Sequence, residues 1–289
     1  MATADGLPAP EAMDDEQREA VETLLFRLAD DEFVAAERYT EWQVESPTLE
    51  SDLALANIAQ DELGHARLWY DLLEDFGYDE PDLVWERPAD EWHQSTLTEL
   101  PFGEGDWADL IVRTYLYDTA ESIRLAALEE SSSARIRDRI GKVSGEEDFH
   151  VQHARRWLER LAEEADSRER LQAALERLFP HALTLFEPVD EEIEARIDDL
   201  GVRTATLSEM RAEWLESVEP YLESQGLSLS EVPQDDEGPD GYALPDAVGR
   251  DQSHTDAWPD LVEAFTNTYR ELGRDQATKI MRDPDEEEA

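Results

Sequence analysis

The sequence predicts an all-α chain: a four-helix bundle of two hairpins joined by a long crossover, with additional helices after it. Three observations predict this. Apolar residues recur at spacings of three and four rather than two. Turn signals divide the first 165 residues into four long segments, with short breaks near Ser46 and Ser132 and one long break between them. Each of the four segments carries one continuous inward stripe, as a bundle helix requires.

The first 14 residues lack any such stripe and are expected to be disordered. A first helix is expected from about Asp15 to about Gln43. Ser46 followed by Pro47 offers an N-cap and a first-turn proline for a second helix, ending near Phe76 and Gly77. Residues 78–105 hold Pro81, Pro88, Pro101, Gly103 and Gly105 and read as a crossover with one short helix. A third helix should start near Asp106 and fade between Glu130 and Ser133. A fourth should run from about Ala134 to Glu164, so that the bundle occupies 15–165. Two amphipathic segments, 167–184 and 205–225, make 166–225 an additional packing region. An acidic linker over 226–256, a C-terminal helix within 257–280 and an acidic tail at 281–289 complete the expected organisation. Hairpin, crossover, hairpin is ferritin-like connectivity.

Among 289 residues, 73 are acidic and 25 basic, giving a net charge of −48, and only Lys142 and Lys279 are lysines. Self-repulsion on this scale is tolerated where salt screens it, since the Debye length falls to roughly 3 Å at 1 M. A salt-rich, halophilic cytoplasm is the expected setting. Nucleic acid and anionic membranes are excluded as partners by the same charge. The absence of cysteine excludes disulfides, thiolate metal sites and cysteine nucleophiles, so any metal must be held by oxygen and nitrogen. Neither a secretory leader nor an apolar run approaching about 18 residues is visible, and the chain is expected to be soluble and cytoplasmic.

The stripes carry the chemistry. The second helix places Leu55, Ile58, Glu62, His65 and Trp69 on its seam, and the fourth places Ile136, Ile140, Val143, Glu147, His150, Ala154, Trp157 and Leu161. Glu-x-x-His interrupts both. The first helix contributes Leu25, Leu28, Glu32, Ala35 and Tyr39, and the third Ile111, Tyr115, Asp118, Ser122 and Leu125. An isolated buried charge costs several kcal/mol even after relaxation, so four acids on four inward stripes call for positive charge between them. Height agrees: Glu32 lies 14 residues before Ser46 and Glu62 lies 16 after it, while Asp118 and Glu147 lie 14 before and 15 after Ser132. At about 1.5 Å per residue each pair is level within a turn.

An acid from each of two helices plus Glu-x-x-His from each of the other two is the ligand set of carboxylate-bridged dimetal bundles. Carboxylates bridge and neutralise the ions, imidazoles cap them, and iron or manganese suits the donors equally. One Glu-x-x-His match is expected from composition alone, so the weight rests on register, height and repetition together. Glu121 shares a face with Asp118 and could replace or join it. Glu37 and Glu146 read as surface charges, His153 as a neighbour of the site, and His93, His181 and His254 as unrelated to it. Tyr39, Trp69, Tyr115 and Trp157 read as core filler.

Two stretches, Ala59-Gln60-Asp61-Glu62-Leu63-Gly64-His65 and Glu146-Glu147-Asp148-Phe149-His150, resemble the metal motifs of catalytic A-type subunits of the phenylacetyl-CoA epoxidase family. Leu28-Ala29-Asp30-Asp31-Glu32, Leu53 through Ala59 and Arg211 through Leu215 resemble the companion C-type subunits. The resemblance implies a ferritin-like component of a multicomponent di-iron oxygenase that epoxidises the ring of phenylacetyl-coenzyme A in aerobic phenylacetate catabolism. It implies as partners an A-type or C-type oxygenase component, a small coupling subunit, a flavin and iron–sulfur reductase and a coenzyme A thioester substrate. By position it implies two iron ions on Glu32, Glu62, His65, Asp118, Glu147 and His150. C-type subunits usually have apolar or amide residues where Glu62 and His65 stand, so this is a C-type body with an A-type ligand set. The alternatives are a non-catalytic C-type scaffold and a stand-alone ferritin- or rubrerythrin-like iron or peroxide protein.

Overall fold

The computed structural model describes residues 6–102 and 106–273; the expected acidic tail and the ends of the flanking segments lie outside the described residues. Helix α1 (Asp15–Thr40) starts at Asp14, whose carboxylate accepts from the Gln17 N–H while the Gln17 side chain returns to the Asp14 N–H. Helix α2 (Leu49–Glu74) starts two residues later than Ser46 and Pro47 suggest. Thr48 and Ser51 cap each other reciprocally, which leaves Pro47 in the turn. The two helices pack antiparallel along their whole length.

The crossover is ordered by short helical turns at Pro81–Trp85 and Ala89–Glu91 and by the four-residue helix α3 (Thr96–Glu99). Asp106 then caps α4 (Trp107–Ala126), and α5 (Ala134–Ala162) closes the bundle. Helix α6 (Ala165–Leu183) packs on α4 and α5. Helix α7 (Glu191–Asp199) lies on α1, α8 (Leu207–Ser224) lies on α4, and α9 (Trp258–Leu272) follows near the crossover. Only Ser122 and Ala126 of α4 escape full burial. Among the described residues no helix is long and apolar enough to cross a membrane.

Three features depart from the sequence reading. Residues 6–14 are ordered: the Leu7 N–H donates to Ser132 O at 3.0 Å, Pro10–Ala12 form a turn, and Leu7 and Met13 pack on the core. Gly6 allows this, because a Cβ there would meet Ser132 O at 2.6 Å. Residues 191–199, unassigned between the two amphipathic segments, form a helix. The acidic segment 226–256 is no free tether, since Leu227, Leu229, Val232 and Tyr242 are buried and Arg250 is fully so.

Two consecutive acids of α1 make these attachments. Asp30 receives the Tyr70 hydroxyl at 2.8 Å, the His93 N–H at 3.0 Å and the Arg87 guanidinium. Asp31 receives both terminal nitrogens of Arg250 at 3.0 and 2.7 Å, the Ser95 N–H at 2.7 Å and Arg124 at 2.7 Å. Crossover and C-terminal segment are thereby fixed to the helix that carries Glu32.

The core is two apolar clusters rather than one. The first gathers Tyr39, Ile58, Ile111, Tyr115, Leu158 and Trp214; the second gathers Leu28, Trp69, Leu125, Ile136, Ile140 and Val143. A polar layer lies between them along all four bundle helices.

Candidate metal centre

That layer consists of Glu32 from α1, Glu62 and His65 from α2, Asp118 from α4, and Glu147 and His150 from α5, every one with no exposed surface. The i, i+3 spacing turns each Glu and His of a pair inward together. His65 Nδ1 lies 3.3 Å from Glu147, 3.7 Å from Glu32 and 3.9 Å from Glu62; His150 Nδ1 lies 3.4 Å from Glu147 and 3.6 Å from Glu62. Two groups have ligand atoms within 4.8 Å of one another: Glu32, Glu62, His65 and Glu147 form one, and Glu62, Asp118 and His150 form the other. Glu62 belongs to both, which is the position of a bridging carboxylate.

All eight carboxylate oxygens of Glu32, Glu62, Asp118 and Glu147, and Nδ1 of both histidines, are buried without a hydrogen-bond partner. Buried polar atoms are nearly always satisfied, so ten atoms without a hydrogen bond converging in one layer make a candidate donor set for cations. Burial, reinforced by the charges of Glu32 and Glu147, pushes the Glu62 carboxyl well above its ordinary range. Burial with Glu147 and Glu32 does the same to Asp118. Burial depresses His65, but the carboxylates of Glu147 and Glu32, 3.3 and 3.7 Å from its Nδ1, outweigh it and hold the imidazole up at about 11. Burial would raise Glu147, but His150 and His65 together pull it down. Protons do, imperfectly, what metal ions would do.

Each imidazole is fixed from outside by the opposite helix. His65 Nε2 meets Glu146 at 2.8 Å and His150 Nε2 meets Asp61 at 3.4 Å. Donation from Nε2–H to a carboxylate leaves the Nδ1 lone pair facing the other donors and raises its basicity. Sequence reasoning missed Asp61 and set Glu146 aside as a surface charge. The available signal was an acid directly before each Glu of the two Glu-x-x-His motifs, on the face turned toward the other helix. Asp61→Asn and Glu146→Gln are each expected to weaken metal affinity by roughly 10–100-fold with the fold intact, as read by competition with a chromogenic chelator.

Glu121 neither replaces nor joins Asp118 in either group. It lies 3.0 Å from Arg124, which also holds Asp31, so it has its own countercharge. His153 stacks beside Phe149; His93, His181 and His254 bond to the Arg250 carbonyl, the Thr96 hydroxyl and Glu99 respectively. Tyr39, Trp69 and Tyr115 are buried core residues, and Trp157 packs partly buried against the first apolar cluster.

A family model described as "Phenylacetic acid catabolic protein" matches residues 1–271. The C-type subunit of 1,2-phenylacetyl-CoA epoxidase from Escherichia coli (strain K12) is 32% identical over 191 residues, covering 65% of this chain and 75% of that one. The A-type subunit of the same enzyme is 26% identical over 191 residues, covering 65% of this chain and 61% of that one, so the chain spans less than two thirds of the A-type relative. A solved structure of a Synechococcus protein with aldehyde deformylating oxidase activity superposes with a TM-score of 0.59 at 19% identity, covering 78% of this chain and 96% of that one. This last likeness concerns the ferritin-like fold alone.

Proposed function

The chain belongs to the phenylacetic acid catabolic protein family, and on that premise we propose that it is a metal-bearing subunit of a 1,2-phenylacetyl-CoA epoxidase-type oxygenase. The observation that carries the reading is the set of ten orphaned donor atoms in one buried layer. A scaffold needs no such layer, and unsatisfied acids are too costly to persist without a ligand.

Glu32, Glu62, His65, Asp118, Glu147 and His150 would hold two iron ions, with manganese suited to the same donors. Such a pair supplies the binding and reductive activation of dioxygen. The rest is the work of this chain. The four carboxylates set the charge of the layer close to that of two divalent cations. Asp61 and Glu146 hold the imidazole Nε2 protons and so orient both rings. The apolar clusters above and below exclude water from the layer.

Relatives that are subunits of one epoxidase support other oxygenase subunits as partners, and the proposed set extends to an A-type or C-type component, a small coupling subunit, a flavin and iron–sulfur reductase, and a coenzyme A thioester as substrate. The second reading, a C-type scaffold, is favoured by the greater identity to the C-type relative than to the A-type one. Metal analysis separates the two. Protein purified in high salt and supplied with ferrous iron is expected to retain two irons per chain by plasma mass spectrometry, and with reductase to consume oxygen in the presence of phenylacetyl-CoA. A folded chain that retains no transition metal would make it the scaffold.

A further inference from the structure

At the bundle end where α1 begins and α2 finishes, a cavity of about 150 Å³ lies beneath residues 7–13. Val21, Leu25, Leu72, Phe76 and Ile136 form its inner wall, and Leu7, Pro8, Ala9, Pro10 and Met13 form its roof. We propose that this cavity is a binding site for one small apolar molecule, no larger than a single aromatic ring, and that residues 6–13 are its lid.

The cavity is partly open; its polar side is the start of α5, where Ser133, Ala134 and Arg135 line it and Ser133 makes no side-chain cap, and the rest of the wall offers water little. Pro8 and Pro10 have no N–H, the Leu7 N–H is spent on Ser132 O and the Met13 N–H on Pro10 O. Arg135, at the edge, is engaged by Asp75. Water needs two to four polar partners to stay bound, which the Val21, Leu25, Leu72 and Phe76 side does not supply, whereas apolar surroundings of about 150 Å³ accept benzene or xenon. The lid is suited to opening: among the described residues 6–13, its one backbone hydrogen bond to the bundle is Leu7 to Ser132, and its other contacts are apolar.

The wall residues Val21, Leu25, Leu72, Phe76 and Ile136 belong to the second apolar cluster, which also holds Leu28, Ile140 and Val143. Leu25 stands seven residues before Glu32, about 10 Å along α1. Dioxygen belongs to the class of molecule that fits. Its use of the cavity as a staging point rests on the oxygenase reading; occupancy of the cavity does not.

The test uses the full chain, with xenon and benzene as probes and metal content measured on the same samples. Xenon under pressure is expected at this cavity in crystals, and benzene is expected to raise the unfolding midpoint. Val21→Phe, which fills the cavity from the wall, should weaken benzene binding at least tenfold; Ala9→Phe fills it from the lid and serves if the first variant fails to fold. Absence of xenon from the cavity of the folded protein, or equal benzene stabilisation in wild type and filled variants, overturns the proposal. Xenon in the cavity of a protein that retains no metal leaves the binding site standing and removes its link to oxygen.

Discussion

Replacing Glu62 and Glu147 together by alanine is expected to take metal content from two ions per chain to none, and to make the metal-free protein less stable. The two halves of this result have one cause. Glu62 belongs to both ligand groups and Glu147 lies within 3.4 Å of both imidazoles, so no bridging geometry survives their loss. Without metal Glu147 is the shared counter-ion of both imidazoles, and its loss strands them in the core. Removing one partner of a buried pair typically costs about 3–5 kcal/mol, and Glu32, Glu146 and Asp61, which stay beside the rings, place this case at the lower end. The variant should therefore melt below stripped wild type, and further below loaded wild type.

The pH dependence has a definite sign. In the metal-free fold Glu62 and Asp118 titrate well above their ordinary values, and His65 titrates near 11 rather than 6.5. Groups raised in the folded state stabilise it fully below their unfolded values, and that contribution fades as pH climbs from about 4.5 through the raised carboxyl range and, for His65, from 6.5 toward 11. Metal displaces these protons, so affinity rises with pH and binding releases protons. Calorimetric titration in two buffers of different ionisation enthalpy measures the release; no difference between buffers would contradict the donor assignment.

Arg250→Met is expected to cost about 3 kcal/mol and to detach the segment around it. Removing one partner of a buried pair costs about 3–5 kcal/mol, because the remaining charge is stranded. Asp31 would keep Arg124 and the Ser95 N–H, which places this case at the lower end. The carbonyls of His93, Thr184 and Leu185 would also lose their donor. Urea unfolding gives the magnitude, and hydrogen exchange across 242–256 shows whether the segment lifts before the bundle unfolds.

The bundle and the six convergent side chains were legible because register and height are local quantities, readable from spacing along each helix. Asp61, Glu146 and Arg250 were not. Each acts on a residue of another element, and what separates Glu146, which bonds His65, from Asp148, which is exposed, is only that an acid precedes the Glu in both motifs, a signal with meaning once the two helices are seen to face each other. Arg124 escaped for a related reason: it lies beside the seam rather than on it, yet it decides the role of Glu121. In a chain this acidic, carboxylates with a partner are hidden among carboxylates that serve only solvation. The short helix 191–199 was lost in the same background.

The division of the core into two apolar clusters has a consequence for cooperativity. Apolar packing normally couples the two ends of a bundle, so that neither unfolds alone. Here that coupling is interrupted at the level of Glu32 and Glu147, where like-charged groups face each other across the axis. The four helices continue through the gap, but the groups that meet there are polar and make no apolar contact across it. On the proposed reading, an ion bound at this level would join four helices at once and supply the missing link. Unfolding of the stripped protein is then expected to be less cooperative than that of the loaded one, as a broader thermal transition.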